Sequence, residues 1–318
     1  MSEAPTRHLM FPALLALASA CAASPSGPEP QAGEPVTDFG APQPIAVTGY
    51  DGDAMEPFLA RDGTRLFFNN RNDPADQTDI HWAERSGPHS FAYRGRVDGA
   101  ALPDVLDGVP SMSEDGTFVF TSLRGVDDKR TIWRGRFAEG KLSALGPVKG
   151  SVNIERAFWV NMDSEISADG RVLVTTDSRF DPLRGRIVES NLVYAEASDD
   201  AYLRAEKNAE LFARINTNLL EYAAAMTRDL KTLYFTRADF EALAAGDPAG
   251  FQTLVATRTR IDAPWGVPRP IASIKGYAEA VTLSPDECSL YFHQRVDARF
   301  VIMRTTKTSC ATVRNGAR

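Results

Sequence analysis

The sequence predicts an all-β chain, a single five-bladed β-propeller of four-stranded antiparallel blades, and three observations predict it. One segment, EPFLARDGTRLFFNNR (Glu56–Arg71), returns in weakened form as VPSMSEDGTFVFTSLR (Val109–Arg124), DSEISADGRVLVTTDSR (Asp163–Arg179), EYAAAMTRDLKTLYFTR (Glu221–Arg237) and EAVTLSPDECSLYFHQR (Glu279–Arg295). The turn aspartates of these copies, Asp62, Asp115, Asp169, Asp229 and Asp286, stand 53, 54, 60 and 57 residues apart. A period of that size marks one supersecondary unit per repeat. Within each copy apolar Leu59, Met112, Ile166, Met226 or Leu283 alternates with a small residue, the period-2 signature of a half-buried strand.

Each repeat opens with a hairpin. Asp-Gly at three of the turns supplies the positive φ that a two-residue hairpin needs, and LFF, VFT, LVT, LYF and LYF follow as second strands. Third strands read as Asp79–Ser86, Thr131–Phe137, Asn191–Ser198, Thr253–Arg260 and Phe300–Lys307. A weaker fourth run closes each unit, and four short strands repeated in this way describe propeller blades. FGAPQPIAVTG (Phe39–Gly49) stands before the first repeat but matches WGVPRPIASIKG (Trp265–Gly276), the fourth strand of blade four. An outer-strand sequence in that position predicts ring closure beside FVIMRTTK, which leaves no open edge.

SPDECSLYFHQR, and less fully ARDGTRLFFNNR and SADGRVLVTTDSR, resemble the Ser-Pro-Asp-Gly repeat of TolB-like, WD-repeat-like propellers over about residues 40–308. Blade five keeps Ser284, Pro285 and Asp286 but has Glu287 in place of the glycine, and blade four has Leu230 there. The resemblance implies a fold and an envelope location more than an activity, because propellers host many unrelated functions.

The N-terminus reads as a targeting segment. Arg7 and His8 precede LMFPALLALASA, an apolar run too short to span a bilayer. LASAC resembles a bacterial lipobox, which implies a signal peptide over 1–20 and lipidation of Cys21. The alternative is an ordinary secretory signal cut near Ala20, Ala22 or Ala23. Residues 21–38, rich in Pro, Gly and Ser, are expected to form a disordered tether. The propeller is then expected over 39–310 and a disordered tail over 311–318.

Two pieces break the pattern. Ala197–Thr217 mixes a helical face (Leu203, Lys207, Leu211) with ELFARINT in the outer-strand position, and Ala238–Gly250 predicts a short helix capped by Asp239 and ended by Gly246 and Pro248.

Of 318 residues, 35 are basic and 42 acidic, so the net charge is −7. No basic stripe for nucleic acid is visible, and none of the four histidines has metal-ligand spacing with another histidine or a cysteine. GxSxG, P-loop and GxGxxG patterns are absent. The candidate site is an acidic set on or before the innermost strands: Asp53, Glu56, Asp107, Asp163, Glu165, Glu221 and Glu279. Inner strands converge on one channel, where such carboxylates can hold a cation or act as an acid/base pair on a sugar; the plainer reading is solvated loop acids and turn caps. The recurrent Arg71, Arg124, Arg179, Arg237 and Arg295 read as structural, bridging the turn aspartates or carbonyls of a neighbouring blade. Cys288 and Cys310 come within reach if the strands of blade five turn near 296–298, which suggests a disulfide in an oxidising compartment; the alternative is two unpaired thiols.

These readings favour an exported, lipid-anchored monomer in the periplasm or at the outer membrane. It would bind or scaffold an envelope protein, peptide or glycan, without nucleic acid and without a required cofactor, although a channel cation is compatible. The alternative is a secreted carbohydrate-active enzyme of the five-bladed glycosidase kind.

Overall fold

The computed structural model describes residues 28–72 and 74–310. Five antiparallel units follow one another along the chain. Their innermost strands are Met55–Leu59, Asp107–Met112, Trp159–Ile166, Leu220–Met226 and Ala278–Leu283. Each packs against the next and the last packs against the first, which closes the ring. Second strands (Arg65–Asn69, Thr117–Ser122, Val172–Asp181, Thr232–Ala238, Ser289–Val296) and third strands (Ile80–Gly87, Ile132–Ala138, Arg186–Ser198, Phe251–Thr257, Arg299–Thr306) stack outward in register. The fold is a β-propeller, as the repeat period predicts. Blades three and four are joined into one sheet by a single parallel bridge, Ser190 to Leu220.

The hairpin turns show why the motif recurs. Each turn aspartate accepts the backbone N–H two residues on (Thr64, Thr117, Arg171, Lys231 and Cys288). In four blades it also accepts the hydroxyl two residues before it, Ser113, Ser167, Thr227 or Ser284, at 2.6–2.7 Å. The turn is thus held by its own side chain, as Asx turns are. The positive φ of Gly63, Gly116 and Gly170 is kept by Leu230 (φ 57) and Glu287 (φ 55) where the glycine is lost.

The expectation for the arginines holds in part. They are structural, and Arg71, Arg124 and Arg237 do donate to carbonyls of the preceding blade, Ala298, Gly99 and Ile215, but their carboxylate partners are the acids that open the inner strands and not the turn aspartates. Arg71 meets Asp53 at 2.8 Å, Arg124 meets Asp107 at 2.5 Å and Arg237 meets Glu221 at 2.7 Å, whereas Arg179 pairs with Glu189 of the third strand. The turn aspartates already have local donors, and the loops return each arginine to the other end of the blade.

Ring closure runs through the N-terminal segment. Gln43 and Pro44 pair with Arg304 and Met303, and Phe39 bridges to Lys307. Ala46–Thr48 then continue in parallel beside Ser90–Ala92 of blade one, so one segment joins the last blade to the first. The tether boundary needs correction. The Gly33 N–H bonds the Pro268 carbonyl, Val36 bonds Pro270, and the Pro28 carbonyl receives the Asn218 N–H. Residues 28–38 therefore lie along blade four, because its two-residue outer strand Arg269–Pro270 leaves backbone groups to be satisfied. Cys21, the expected signal peptide over 1–20 and the expected tail over 311–318 lie outside the described residues.

Blade three departs from expectation in its outer edge. The segment is mixed, as expected, but Ala201–Arg204 is the strand, and ELFARINT contributes only Glu210 and Leu211 to the short helix Asn208–Leu211 before a turn. Leu211, Phe212 and Ile215 point from it into the core beside Trp265, a burial that a strand at this place would not give. The helix Phe240–Ala244 forms as expected, with Asp239 accepting the N–H groups of Glu241 and Ala242. Cys288 and Cys310 are joined by a disulfide with Cα atoms 6.0 Å apart.

Candidate functional site

Every inner strand carries a bulge at the same place. The register shifts between Met55 and Phe58, Gly108 and Ser111, Met162 and Glu165, Tyr222 and Ala225, and Glu279 and Thr282. One residue in each bulge is left-handed: Glu56 (φ 48), Val109 (φ 53), Asp163 (φ 49), Ala223 (φ 50) and Ala280 (φ 56). None is glycine, so each costs about 1–2 kcal/mol that packing must offset. Bulges re-aim side chains, and here they deliver five residues to the channel wall.

The bulge N–H groups are received in a repeating way. A polar side chain on the second strand of the preceding blade accepts: Asn69 Oδ1 from Val109, Thr121 Oγ1 from Asp163, Thr236 Oγ1 from Ala280, and His293 Nδ1 from Glu56 at 3.1 Å. The Ala223 N–H is taken by the Asp163 carboxylate itself. His293 therefore does in blade five what Asn69 and Thr236 do in theirs, and accepting at Nδ1 places the proton of the neutral ring on Nε2.

The seven candidate acids separate into two groups. Four have a guanidinium: Asp53 with Arg71, Asp107 with Arg124, Glu221 with Arg237, and Glu165 with Arg61 at 2.6 Å. Glu221 also accepts the Thr217 hydroxyl at 2.5 Å, and Glu165 accepts Ser111 at 2.7 Å. Burial still raises the Glu221 carboxyl, against the pull of Arg237.

The remaining three, Glu56, Asp163 and Glu279, come together at the channel. Burial pushes Glu56 well above the usual carboxylate range, helped by the charges of Glu279 and Asp163. Burial likewise raises Asp163 to about 7, and raises Glu279 to about 7 against hydrogen bonds from the Tyr222 and Tyr277 hydroxyls. Tyr222 reaches Glu279 Oε2 at 2.5 Å. The His293 Nε2 lies 3.8 Å from Glu279 Oε1, beyond hydrogen-bond reach. Burial holds His293 neutral, with a pKa lowered to about 3. Glu56 Oε2 and His293 Nε2 are buried without a hydrogen-bond partner among the described residues. The sequence reading missed His293, Tyr222 and Tyr277. The available signal for His293 was its offset, seven residues past the turn aspartate, where Asn69 and Thr236 also stand.

The channel cavity, lined by Glu56, Asp163 and Glu165, measures about 30 Å³. On the side of the hairpin turns, cross-channel contacts close it: Arg61 to Glu165 and to the Ile166 carbonyl, and Arg228 to Glu114, Glu287 and the Arg61 carbonyl. The opposite face carries the loops between second and third strands. There Leu183 is 96% exposed at the tip of blade three, and Phe158, whose carbonyl accepts the Phe180 N–H, is 59% exposed.

No protein-family model matches the chain, and no curated protein matches it. Solved structures do. A family 117 glycoside hydrolase from the marine bacterium Zobellia galactanivorans is similar at TM-score 0.53 and 9% identity, over 85% of this chain and 90% of that one. The catalytic domain of a Coprinopsis cinerea GH62 α-L-arabinofuranosidase is similar at TM-score 0.51 and 11% identity, over 86% and 98%. TolB from Acinetobacter baumannii is similar at TM-score 0.44 and 11% identity, over 80% of this chain and 55% of that one, so the chain spans about half the length of that TolB. At such identities the likeness shows the β-propeller fold alone.

Proposed function

We propose that the chain is an exported, lipid-anchored propeller that acts as a non-enzymatic binding or scaffolding module at the cell envelope. The observation that carries this reading is the size of the channel site. Small-molecule and sugar sites occupy roughly 300–1,000 Å³, whereas about 30 Å³ surrounds Glu56 and its neighbours. The Arg61–Glu165 and Arg228–Glu114 contacts close one end, so a macromolecular ligand meets the molecule on its faces. Of a protein, peptide or glycan, exposed Phe158 and Leu183 favour a protein or peptide. The second reading, a carbohydrate-active enzyme, rests on the convergence of Glu56, Asp163 and Glu279.

The test is a photo-crosslinking residue placed at Leu183 or Phe158 in the full chain and activated in whole cells. The same partner is expected from both positions and none from Asp62 or Lys231 on the turn face. Cys21→Ser is expected to move the protein out of the membrane fraction. Hydrolysis of arabinan or galactan oligosaccharides by the purified protein, abolished by Glu56→Gln, overturns the reading in favour of the enzyme.

A further inference from the structure

Seven acidic side chains open or line the inner strands, and the structure treats them in two ways. Asp53, Asp107, Glu165 and Glu221 each have an arginine within 2.8 Å. Glu56, Asp163 and Glu279 have none. The groups acting on them are one another, two tyrosine hydroxyls, the Ala223 N–H and their own burial. Buried carboxylates persist only when paired, neutralised or bound to a metal. The chain places an arginine at every acid of the set except these three; Glu56 and Asp163 line the channel cavity together with the paired Glu165.

The donor geometry narrows what can enter. Oxygen atoms of Glu56 and Glu279 and a nitrogen of His293 lie within 4.8 Å of one another, a separation that one ion can bridge. Glu56 Oε2 is buried with no hydrogen-bond partner among the described residues, and Glu279 Oε1 lies 3.8 Å from the His293 Nε2. The imidazole is not a third ligand. Its Nδ1 lone pair already takes the Glu56 N–H, so Nε2 carries the proton and points it toward Glu279. That is the position of a donor to a ligating carboxylate, the usual support for a metal ligand. An all-oxygen donor set suits hard cations and does not favour zinc or copper. About 30 Å³ accommodates one ion with a water, since a water alone needs roughly 10–15 Å³ of such volume.

We propose that Glu56 and Glu279 bind a hard divalent cation of the calcium or manganese class through carboxylate oxygens, and that His293 serves as hydrogen-bond donor to Glu279. The cation joins blades one and five at the channel, whichever partner the outer faces bind.

The experiment is thermal unfolding and calorimetric titration of chelator-stripped full-length protein with Ca²⁺, Mn²⁺, Mg²⁺ and Zn²⁺ at neutral pH. A saturable rise in Tm with Ca²⁺ or Mn²⁺ is expected, with affinity at least about tenfold weaker in Glu56→Gln and in Glu279→Gln. The same affinity is expected in Asp62→Asn, at an exposed turn outside the channel. Both glutamine variants are expected to fold, with cation-free Tm at or above that of the parent, because each removes a buried charge. Absence of a saturable response in the parent up to about 10 mM cation, or an equal response in Glu56→Gln, overturns the proposal. Zinc-selective binding lost in His293→Gln and retained in Glu56→Gln overturns it as well, in favour of imidazole ligation.

Discussion

A buried histidine away from the channel shows how single residues set the response to pH. His81 is 8% exposed in blade one, its Nδ1 shares a hydrogen bond with the Tyr93 hydroxyl at 2.9 Å, and its ring stacks on Phe68. Burial lowers its pKa to about 4, more than Asp79 raises it; Arg96 pulls the same way as burial, and Tyr50 and Tyr93 are the other polar rings against it. In the unfolded chain the imidazole takes its proton near pH 6.5. The unfolded state therefore binds more protons between about pH 6.5 and 4, and the stability that the neutral ring contributes is complete above that window and is lost as pH falls through it. Between pH 7 and 5 the parent should lose about 2 kcal/mol relative to His81→Gln, read as the difference between urea midpoints at the two pH values. Parallel pH profiles for parent and variant would show that the ring charges in the folded state. Glu56, Asp163 and Glu279 act in the opposite sense, their raised carboxyls favouring the fold at lower pH, which is why the comparison is made between parent and variant.

At the level of the element, the hairpin turn was the most legible feature and its exceptions were the least. Asp-Gly announces positive φ directly, and the serine or threonine two residues earlier is explained once the aspartate is seen to accept its hydroxyl. Leu230 stands where the motif has glycine, and a leucine should avoid φ 57. Its side chain is buried with Leu233, Leu254 and Trp265, so apolar burial outweighs the backbone cost, and no local sequence rule contains that comparison. Leu230→Gly restores the motif and relieves about 1–2 kcal/mol of left-handed strain, yet it removes a buried leucine worth about 2–5 kcal/mol. The expected net effect is a loss of about 2 kcal/mol, measured by chemical denaturation. Glu287→Gly, at the matching position in blade five but only half-buried, is expected to change stability by less than about 1 kcal/mol. A stabilised Leu230→Gly would mean that turn strain, not packing, governs these hairpins. The bulges follow the same logic on the opposite strand. The acids before and within the inner strands were visible, but which three lacked an arginine depended on where the loops returned Arg61, Arg71, Arg124 and Arg237.

For the whole molecule the question is what keeps a ring of weakly joined blades closed. The internal match between Phe39–Gly49 and Trp265–Gly276 made closure legible, since an outer-strand pattern with no blade of its own must complete another. The course of residues 28–38 was not legible, because they are held mostly through their own backbone groups, by Pro268, Pro270 and Asn218 and by the Arg237 and Arg269 side chains, which leaves little pattern in the segment's own side chains. Residues 38–45 and 302–310 meet at blade five. Gly40 and Ile45 donate to the carbonyls of Thr306 and Ile302, the Thr308 N–H reaches the Asp38 carbonyl, and Cys288 ties Cys310 a few residues further on. Phe39 and Ile45 are 7% and 6% exposed in two different core clusters. Each buried side chain of this size contributes roughly 1.5–3 kcal/mol, and removing the segment also bares residues 302–306 of the third strand as an open edge. A chain beginning at residue 46 is therefore expected to be about 4–6 kcal/mol less stable than one beginning at residue 28, with Tm lower by on the order of 10 °C and with concentration-dependent association in size-exclusion chromatography. A synthetic peptide covering residues 36–48 should bind the shortened chain as an added strand and recover part of the lost Tm. Equal melting of the two chains, or no response to the peptide, would place the closure of the ring in the inner strands and not in the N-terminal segment.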